Sequence, residues 1–468
     1  MRCSAETMIA SVEALRDRLG ELPEGRCLAG FSGGADSTAM ILLLAAERDA
    51  GRIRPEAVHV NHGLRLEEGD EDEEFCRTLC SRLGIPFHAE QAVLEGKQDE
   101  NACREARFRC FRRVMKETGI RDLVLAHNLD DLAETFMMRL IRGAGTEGLA
   151  CMTGRDNRQE YTIYRPLLRI SRHEIREILQ QNRIPWREDS LNLSDAYLRN
   201  RIRRQLIPLM NEMNAGSTRR IASAAEIIAN DNLVLQNLAE EFLEAHADRW
   251  MLDSEALAEQ PEALRARILR SWWKQNAPDL EEHTLSARQT AELASLAGAE
   301  RGKVNLPGGR FAEKGRKRIY LTGFPMKIPE AVPFEAGISG TVAFGTCLMT
   351  TGPSAGTPGN GITEQEVPEG FFSGCEIRTR REGDRIRPYG MKGSRKLQDY
   401  LTDRGVDKPL RDLIPLICRG NEVLLAAGIG AGAVPEWSAE VKNIRVRWTG
   451  SMPWITEERK ETESGTDI

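Results

Sequence analysis

Short apolar runs alternate with segments of helical periodicity over the first third of the chain. The runs cover residues 27–31, 57–61, 86–89, 123–126 and 162–167. Between them, apolar residues recur at the spacing that is typical of an amphipathic helix. Strands that alternate with helices in this way form a doubly wound parallel sheet with helices on its faces. We therefore predict that the chain begins with an α/β domain.

The pattern changes twice after this domain. A capping box at Ser171 and Glu174 opens a further helix, and an arginine-rich helix then leads to residue 215. Residues 217–297 are helical by pattern, and strand signals flank the turn Pro307-Gly308-Gly309 as a hairpin. The remainder carries short strands with many glycines and prolines. We predict an α/β domain at 1–215, a mostly helical domain with a terminal hairpin at 216–323, an α+β domain at 324–450 and a disordered acidic tail at 451–468.

The most informative segment lies between the first apolar run and the helix that follows it. It reads Ser32-Gly33-Gly34-Ala35-Asp36-Ser37. Adjacent glycines permit positive φ and a close backbone approach, so several N–H groups and the helix N-terminus can face a polyphosphate. The hydroxyls of Ser32 and Ser37 add two donors. We predict that all six residues bind a nucleoside triphosphate; the alternative is a glycine-rich turn without a ligand.

Asp36 indicates which phosphate reacts. The loop lacks the lysine of the Gly-x-x-x-x-Gly-Lys-Ser/Thr signature, and that signature occurs nowhere in the chain. A carboxylate in this position suits a magnesium ion held against a leaving pyrophosphate. The sequence therefore favours attack at the α-phosphate over transfer of the γ-phosphoryl group.

Polar residues follow two further predicted strands, at Asn61-His62-Gly63 and from His127 to Glu134. Because ligands bind at the carboxyl ends of strands in a doubly wound sheet, three strand ends converge on one crevice. Asp131 and Glu134 lie three positions apart on one helix face, where two carboxylates can hold an ammonium ion or a metal ion. The alternative is that these acids only complement the helix dipole. We give His62 a nucleotide-binding role.

Basic residues occur in two places that suit phosphate contacts. Arg107 lies in a predicted helix that begins near residue 101 and can bring a guanidinium to a phosphate. A second group of arginines and lysines lies between residues 378 and 396, interleaved with glycine, proline and tyrosine. For both, the alternative is an ordinary solvated charged surface.

Composition excludes some classes of protein. A chain of 468 residues with 41% hydrophobic residues can form roughly two to four domains. The net charge of −6 excludes a uniformly basic coat for nucleic acid and permits a local basic surface. The ten cysteines contain no Cys-x-x-Cys pair, and Cys76 and Cys80 share a predicted helix face with leucines. We expect buried, reduced thiols in a cytoplasmic protein. The longest apolar stretch, 39–46, is too short to cross a membrane.

Taken together and in order, these segments resemble the tRNA(Ile)-lysidine synthetase family of PP-loop ATP-pyrophosphatases. The matching segments are residues 32–37, 58–65, 105–107, 127–135, 165–168, 186–203, 306–309, 383–397 and 414–416. The segments at 165–168 and 186–203 separate this family from other PP-loop enzymes. One departure is Asn128, because the family usually carries a second histidine after His127.

The resemblance implies a two-step reaction at the wobble cytidine of an isoleucine tRNA with the anticodon CAU. The ring carbonyl oxygen attacks the α-phosphate of ATP and pyrophosphate leaves. The ε-amine of L-lysine then displaces AMP, which gives lysidine. ATP is thus a substrate, and magnesium is the expected cofactor. The sequence leaves open which carboxylate deprotonates lysine and whether the protein is a homodimer.

The resemblance also implies roles for individual residues. The catalytic set is Asp36, Arg107, Asp131, Glu134 and Arg199, in which Asp36 is the magnesium ligand, Asp131 and Glu134 hold lysine, and Arg107 and Arg199 hold the phosphates or the adenylate. The expected tRNA contacts are Arg203, Arg385, Arg387, Lys392 and Lys396.

Three other functions fit parts of the sequence. A tRNA thiolase on the same fold needs paired cysteines or an iron–sulfur cluster, and the absence of Cys-x-x-Cys counts against it. A small-molecule amide synthetase, such as one that makes NAD or GMP, has no need of a basic tRNA-binding domain. A non-catalytic RNA-binding module leaves the phosphate loop and the strand-end carboxylates without a purpose.

Overall fold

The computed structural model describes most of the chain. The described residues are 4–63, 66–93, 100–158, 160–188, 198–278, 284–324, 329–334, 340–357, 359–388, 391–432, 434–435, 438 and 440–455. Within the segment 186–203, residues 189–197 lie outside this set, as do Arg65, Tyr389 and the predicted acidic tail from residue 456. Among the described helices, none combines the length and the hydrophobicity that a membrane-spanning segment requires.

The chain divides into two compact units, Met1–Val234 and Leu235–Ile468. The α-helices are α1 Ala5–Ser11, α2 Ala35–Asp49, α3 Leu66–Leu83, α4 Glu100–Thr118, α5 Leu129–Ile141, α6 Thr146–Leu149, α7 Arg172–Gln181, α8 Leu198–Arg201, α9 Ile207–Met213, α10 Ser217–His246, α11 Ser254–Glu259, α12 Glu262–Asn276, α13 Ala287–Ser295 and α14 Leu397–Asp403. A π-helical turn, Ile202–Leu206, joins α8 to α9.

The strands within the described residues belong to four sheets. They are β1 Gly25–Gly30, β2 Ile53–Asn61, β3 Phe87–Gln91, β4 Asp122–Val124, β5 Arg155–Asn157, β6 Thr162–Tyr164, β7 Ala247–Asp248, β8 Met251–Asp253, β9 Gly302–Leu306, β10 Arg310–Lys314, β11 Arg318–Thr322, β12 Val332–Phe334, β13 Gly340–Phe344, β14 Cys347–Pro353, β15 Glu364–Pro368, β16 Cys375–Arg378, β17 Arg385–Ile386, β18 Arg395–Lys396, β19 Leu416–Arg419, β20 Glu422–Ala426, β21 Gly430–Ala431 and β22 Asn443–Gly450.

The first unit contains the predicted doubly wound sheet. Its strand order is β3-β2-β1-β4-β6-β5, and every pair is parallel except β5 with β6. The five predicted strands are therefore confirmed, and β5 is an edge strand that the hydrophobic pattern did not reveal. The connections from β1 and from β4 leave in opposite directions across the sheet. This switch point is where ligands bind in open α/β sheets.

Helix α2 explains the apolar stretch 39–46. The residues of this stretch are at most 7% exposed, because the helix packs on β2 on one side and against α1 and α7 on the other. A helix that is covered all round is apolar all round. Cys76 and Cys80 on α3 are also buried, with Leu79 and Leu83 beside them, as predicted for a helix face of the core.

The second unit contains the predicted hairpin and the predicted helical region from Leu235 onwards, whereas residues 217–234 of that region belong to the first unit. The hairpin is more extensive than predicted. The sequence predicts one strand after the turn, ending at Leu321, but this run is interrupted at Gly315 and forms two strands, β10 and β11. These strands join a sheet in the order β7-β8-β11-β10-β9. Helix α10 runs through the division between the two units.

Two β-sheets make up the rest of this unit. One has the order β12-β16-β19-β20-β17-β18, with β21 paired to β20, and the other has the order β13-β14-β22-β15. Helix α14 follows β18, so the region combines strands with a short helix, as predicted. Trp454 lies within the predicted tail, yet it is only 3% exposed and its indole donates to the carbonyl of Ala427. Packing therefore continues to residue 455.

Candidate active site

The loop after β1 has the backbone that the two glycines predict. Gly33 has a φ of +85°, and helix α2 begins directly afterwards, with Gly34 as an N-cap that offers no side-chain acceptor. The hydroxyls of Thr38 and Ser37 turn inwards and donate to the carbonyls of Gly33 and Gly34 at 3.2 and 3.0 Å. The loop therefore holds its shape through bonds to its own carbonyls. Anions bind favourably at such uncapped helix N-termini.

Gly33 is also restricted by its surroundings. A Cβ atom at this position would lie 3.2 Å from the Sγ of Cys76 and 3.3 Å from the ring of Phe75. The carbonyl of Gly33 accepts a hydrogen bond from the backbone N–H of Arg187 at 2.9 Å. The guanidinium of Arg187 is paired with Glu71 and Asp72 at the start of α3. The phosphate loop is thus fixed between α3 and the segment after α7.

Asp36 lies in the first turn of α2, and its carboxylate is largely enclosed. Its Oδ1 is buried without a hydrogen-bond partner among the described residues. Burial and, after it, the nearby negative charge of Asp131 together raise the pKa of Asp36 to about 6, against the opposing effect of Arg172. An enclosed carboxylate oxygen without a donor is suited to a cation.

Two carboxylates and three guanidiniums form a compact group at the start of α5. We call this group the acid–arginine cluster; its members are Asp131, Glu134, Arg172, Arg199 and Arg203. The two acids are on α5, whereas the arginines come from α7, α8 and the π-helical turn. The side chain of Glu134 is 2% exposed and that of Asp131 is 12% exposed. The cluster is therefore mostly removed from solvent.

Each acid of the cluster is bound by more than one arginine. Arg172 spans both acids, with Nη2 3.0 Å from Oδ1 of Asp131 and Nη1 3.1 Å from Oε1 of Glu134. Arg199 does the same through Nη2 and Nε, at 3.0 and 3.1 Å. Arg203 grips Glu134 with two bonds of 2.7 and 3.0 Å. Burial would raise the pKa of Asp131, but the positive charges of Arg199 and Arg172 outweigh it and lower the pKa.

Asn128 and Asp131 form a capping box that orients the acids. The Asn128 side chain accepts from the Asp131 N–H at 2.9 Å, and Oδ2 of Asp131 accepts from the Asn128 N–H at 3.1 Å. The cap begins α5 at Leu129, so Asp131 and Glu134 share the inner face of its first turns. Asn128 therefore has a structural role at the position where the family usually has histidine.

The loops after β2 and β4 supply the predicted histidines. His62 directly follows β2, and the turn there is fixed by a bond from the Gly63 N–H to the Asn61 side chain at 2.9 Å. His127 follows β4. Burial lowers the pKa of His127, and the positive charges of Arg165, Arg107 and Arg199 oppose the attraction of Asp131. Arg107, on α4, is thus close enough to His127 to act on it electrostatically.

The C-terminal basic residues separate into two groups. Arg378 is 2% exposed and makes two hydrogen bonds of 2.8 Å to Asp384, so it stabilises the fold. Arg380, Arg381 and Arg395 are paired with nearby acids. The remaining four are exposed and form no ion pair with a described residue. We call them the C-terminal cation patch: Arg385, Arg387, Lys392 and Lys396.

Sequence reasoning missed Arg172. It is the first residue of α7, directly after the capping Ser171, and its N–H also donates to Asp130 at 2.7 Å. The available signal was its position at a helix start beside the Arg165-Pro166-Leu167-Leu168 segment, but no spacing rule links it to Asp131. The structure also brings Arg203 into the acid–arginine cluster, where the sequence had suggested an RNA contact.

Known domain families match much of the chain. Models of three domain families match the chain: a PP-loop domain at residues 6–210, a TilS substrate binding domain at 252–320 and a TilS substrate C-terminal domain at 375–448. Among solved structures, the U34-tRNA thiolase NcsA from Methanococcus maripaludis is 19% identical with a TM-score of 0.41, covering 48% of this chain and 80% of that one. Such a distant likeness assigns no reaction.

Curated relatives extend over nearly the whole chain. The tRNA(Ile)-lysidine synthase of Geobacter sulfurreducens is 32% identical over 430 residues, which covers 88% of this chain and 90% of the relative. The enzyme of the same name from Solibacter usitatus is 30% identical and covers 87% and 95%. With this identity over almost its full length, the chain belongs to the tRNA(Ile)-lysidine synthase family.

Proposed function

We propose that this protein is an ATP-dependent ligase that joins L-lysine to the wobble cytidine of a tRNA(Ile) with the anticodon CAU. Membership of the family supports the overall reaction. The observation that carries the proposal is that Asp36, which follows β1, lies near Asp131, which follows β4. The two residues are close enough for the charge of Asp131 to raise the pKa of Asp36. A phosphate loop and an acid–arginine cluster thus adjoin each other, as a reaction between a nucleotide and an amine requires.

The reaction has two steps that these groups can serve. In the first, the ring carbonyl oxygen of cytidine forms a bond to the α-phosphorus of ATP, and the bond to pyrophosphate breaks. In the second, the neutral ε-amine of lysine attacks the ring carbon that carries the adenylate, and AMP leaves with the former carbonyl oxygen. Positioning and charge neutralisation dominate phosphoryl chemistry of this kind.

Asp36 fits the role of a magnesium ligand. Its buried Oδ1 has no donor among the described residues, and Mg²⁺ binds through one or two carboxylates together with substrate phosphates. When bound, the ion would neutralise charge on the triphosphate and on the leaving pyrophosphate. Asp36 and the backbone of residues 32–37 orient the nucleotide, and the hydroxyls of Ser32 and Ser37 lie 3.2 Å apart.

The cluster supplies both charges that the second step needs. We assign the lysine side chain to Asp131 and Glu134, and the phosphate or adenylate to Arg199 together with Arg107. Arginine forks match phosphate oxygens in pairs. His62 lies at the end of β2 and is assigned to the nucleotide.

The C-terminal cation patch is assigned to the tRNA backbone. Its four side chains are exposed on and around β17 and β18, where they can contact phosphates without reading sequence. We assign Arg203 to the RNA as well, because its side chain is 27% exposed even while its guanidinium is bonded to Glu134.

The direct test is transfer of radiolabelled lysine to RNA. Purified protein is incubated with ATP, magnesium, labelled lysine and a tRNA(Ile) transcript with a CAU anticodon; a transcript with uridine at the wobble position is the control. Incorporation that needs ATP and the wobble cytidine supports the proposal. Active nucleotide turnover without labelled RNA would instead favour a thiolase or a small-molecule synthetase.

A further inference from the structure

Glu134 has no acceptor site left for a substrate amine. A carboxylate offers about four lone-pair sites on its two oxygens. Oε1 accepts from Arg172 and Arg203 at 3.1 and 2.7 Å, and Oε2 accepts from Arg199 and Arg203 at 3.1 and 3.0 Å. All of the sites are thus used by guanidiniums. A lysine ammonium cannot bond to Glu134 until one of these bonds breaks.

Asp131 is nearly as fully occupied. Its Oδ1 accepts from Arg172 and Arg199, each at 3.0 Å, and Nη2 of Arg203 lies 3.6 Å from the same oxygen. Its Oδ2 is bonded to the Asn128 N–H in the capping box. The ligand-free structure therefore closes the proposed lysine site with the protein's own cations.

The local charge also disfavours an incoming cation. The cluster has three positive and two negative groups, so its net charge is +1. Asp130 and Asp36 add negative charge from α5 and α2, whereas Arg176 on α7 and Arg107 on α4 add positive charge. His127 is uncharged because burial lowers its pKa. The immediate surroundings thus do not compensate for displacing an arginine by an amine.

A nucleotide supplies what an amine lacks. The arginine side chains of the cluster remain 19–27% exposed, so they can rotate towards an anion in the crevice. Phosphate oxygens form charge-assisted, paired bonds with guanidinium groups. Each guanidinium that turns to a phosphate leaves an acceptor free on Asp131, on Glu134 or on both.

We propose that Arg172 is a positioning residue that closes the lysine site in the ligand-free enzyme, and that bound nucleotide opens the site by drawing guanidiniums of the cluster onto its phosphates. Arg172 bonds one oxygen of each acid, so its release frees one acceptor on both. Nucleotide therefore binds before lysine. The proposal rests on the proposed function and on Asp131 and Glu134 as the lysine ligands.

The first test measures lysine affinity with and without a nucleotide. Binding of radiolabelled lysine to the full-length protein is measured by equilibrium dialysis, once without nucleotide and once with magnesium and α,β-methylene ATP. This ATP analogue cannot release pyrophosphate. Coupling energies between sites usually change an affinity by about 5- to 150-fold, and we expect lysine to bind at least about tenfold more tightly with the nucleotide. Lysine must then tighten the nucleotide by the same factor. Equal lysine affinity in both conditions would overturn the proposal.

The variant R172Q separates closure of the site from a merely structural role. Loss of Arg172 should strengthen lysine binding in the absence of nucleotide and reduce the nucleotide effect. A structural role would weaken lysine binding in both conditions. R172K retains the positive charge and should keep most of the dependence of lysine affinity on nucleotide. This variant also provides a test if R172Q does not fold. R169Q is the matched control, because Arg169 is 67% exposed and is paired only with Glu226 among described residues.

Failure of this inference is distinguishable from failure of the proposed function. If labelled lysine enters the CAU transcript but its affinity does not depend on nucleotide, the gating is wrong and the function stands. If wild-type protein transfers no lysine and binds none in either condition, both are wrong.

Discussion

Replacing Asp36 with asparagine should abolish lysidine formation and, at the same time, stabilise the ligand-free protein. The carboxylate is largely buried, its Oδ1 has no hydrogen-bond donor among the described residues, and Asp131 lies nearby with the same charge. Ionised Asp36 therefore costs folding free energy that Arg172 offsets only in part, and a bound cation would offset it further. Asparagine has nearly the same shape without the charge. The variant should bind tRNA as well as the wild type, since the phosphate loop is remote in sequence from the C-terminal cation patch.

The size of the stabilisation follows from the pKa. A rise from 3.8 to about 6 corresponds to about 3 kcal/mol, at about 1.4 kcal/mol per pKa unit. The folded state holds this proton more tightly than the unfolded chain does, so wild-type stability falls as the pH rises from about 4 to about 6. D36N lacks this loss. The extra free energy of unfolding of D36N over the wild type should reach about half of its full value at pH 5 and its full value above about pH 6.

Thermal unfolding in EDTA between pH 5 and pH 8 tests this reasoning. For a unit of this size, about 3 kcal/mol raises the melting temperature by about 6–12 °C. The control is D17N, because Asp17 is an exposed aspartate outside the site. Magnesium with ATP should raise the melting temperature of the wild type but not that of D36N. The difference in melting temperature between the two proteins should therefore become smaller. A variant that is less stable than the wild type at pH 7.5, or a difference that does not grow with pH, would refute the argument.

Three further perturbations test other parts of the structure. Gly33→Ala places a Cβ atom on a residue with a φ of +85°, 3.2 Å from the Sγ of Cys76. The free energy of unfolding should fall by about 1–3 kcal/mol, and nucleotide titration should show a weaker ATP affinity. Asp407→Ala removes the acceptor of the buried Tyr320 hydroxyl at 2.7 Å, and urea unfolding should show a loss of stability of about 1–3 kcal/mol. The same substitution should cost less in the Tyr320→Phe variant, and an equal loss there would contradict this prediction. Glutamine at all four positions of the C-terminal cation patch should weaken tRNA binding and lower its salt slope by up to about 3, whereas Arg380→Gln, which removes an arginine already paired with an acid, should change neither.

The amino-acid sequence by itself determined the sheet and the phosphate loop. Alternating apolar runs and helical periods specify a doubly wound domain, because each pattern suits only one kind of backbone at that length. The two glycines at 33 and 34 specify the loop, because few other residues permit its geometry. Asp131 and Glu134 were recognised as neighbours for a similar reason, since residues three apart share a helix face. These inferences are local, so they need no knowledge of the rest of the chain.

The tertiary structure alone decided which charges meet. Arg172 reaches Asp131 from another helix, 41 positions along the chain, and no sequence repeat relates the two. Arg378 resembles its exposed neighbours in sequence, but it is buried on Asp384, whereas the C-terminal cation patch faces solvent. Ion pairing and burial depend on distances in three dimensions. An arginine in the sequence therefore looks the same whether it forms a buried ion pair or lies at the surface. Local patterns therefore predict which residues carry the chemistry, and only the fold determines which of them compensate one another.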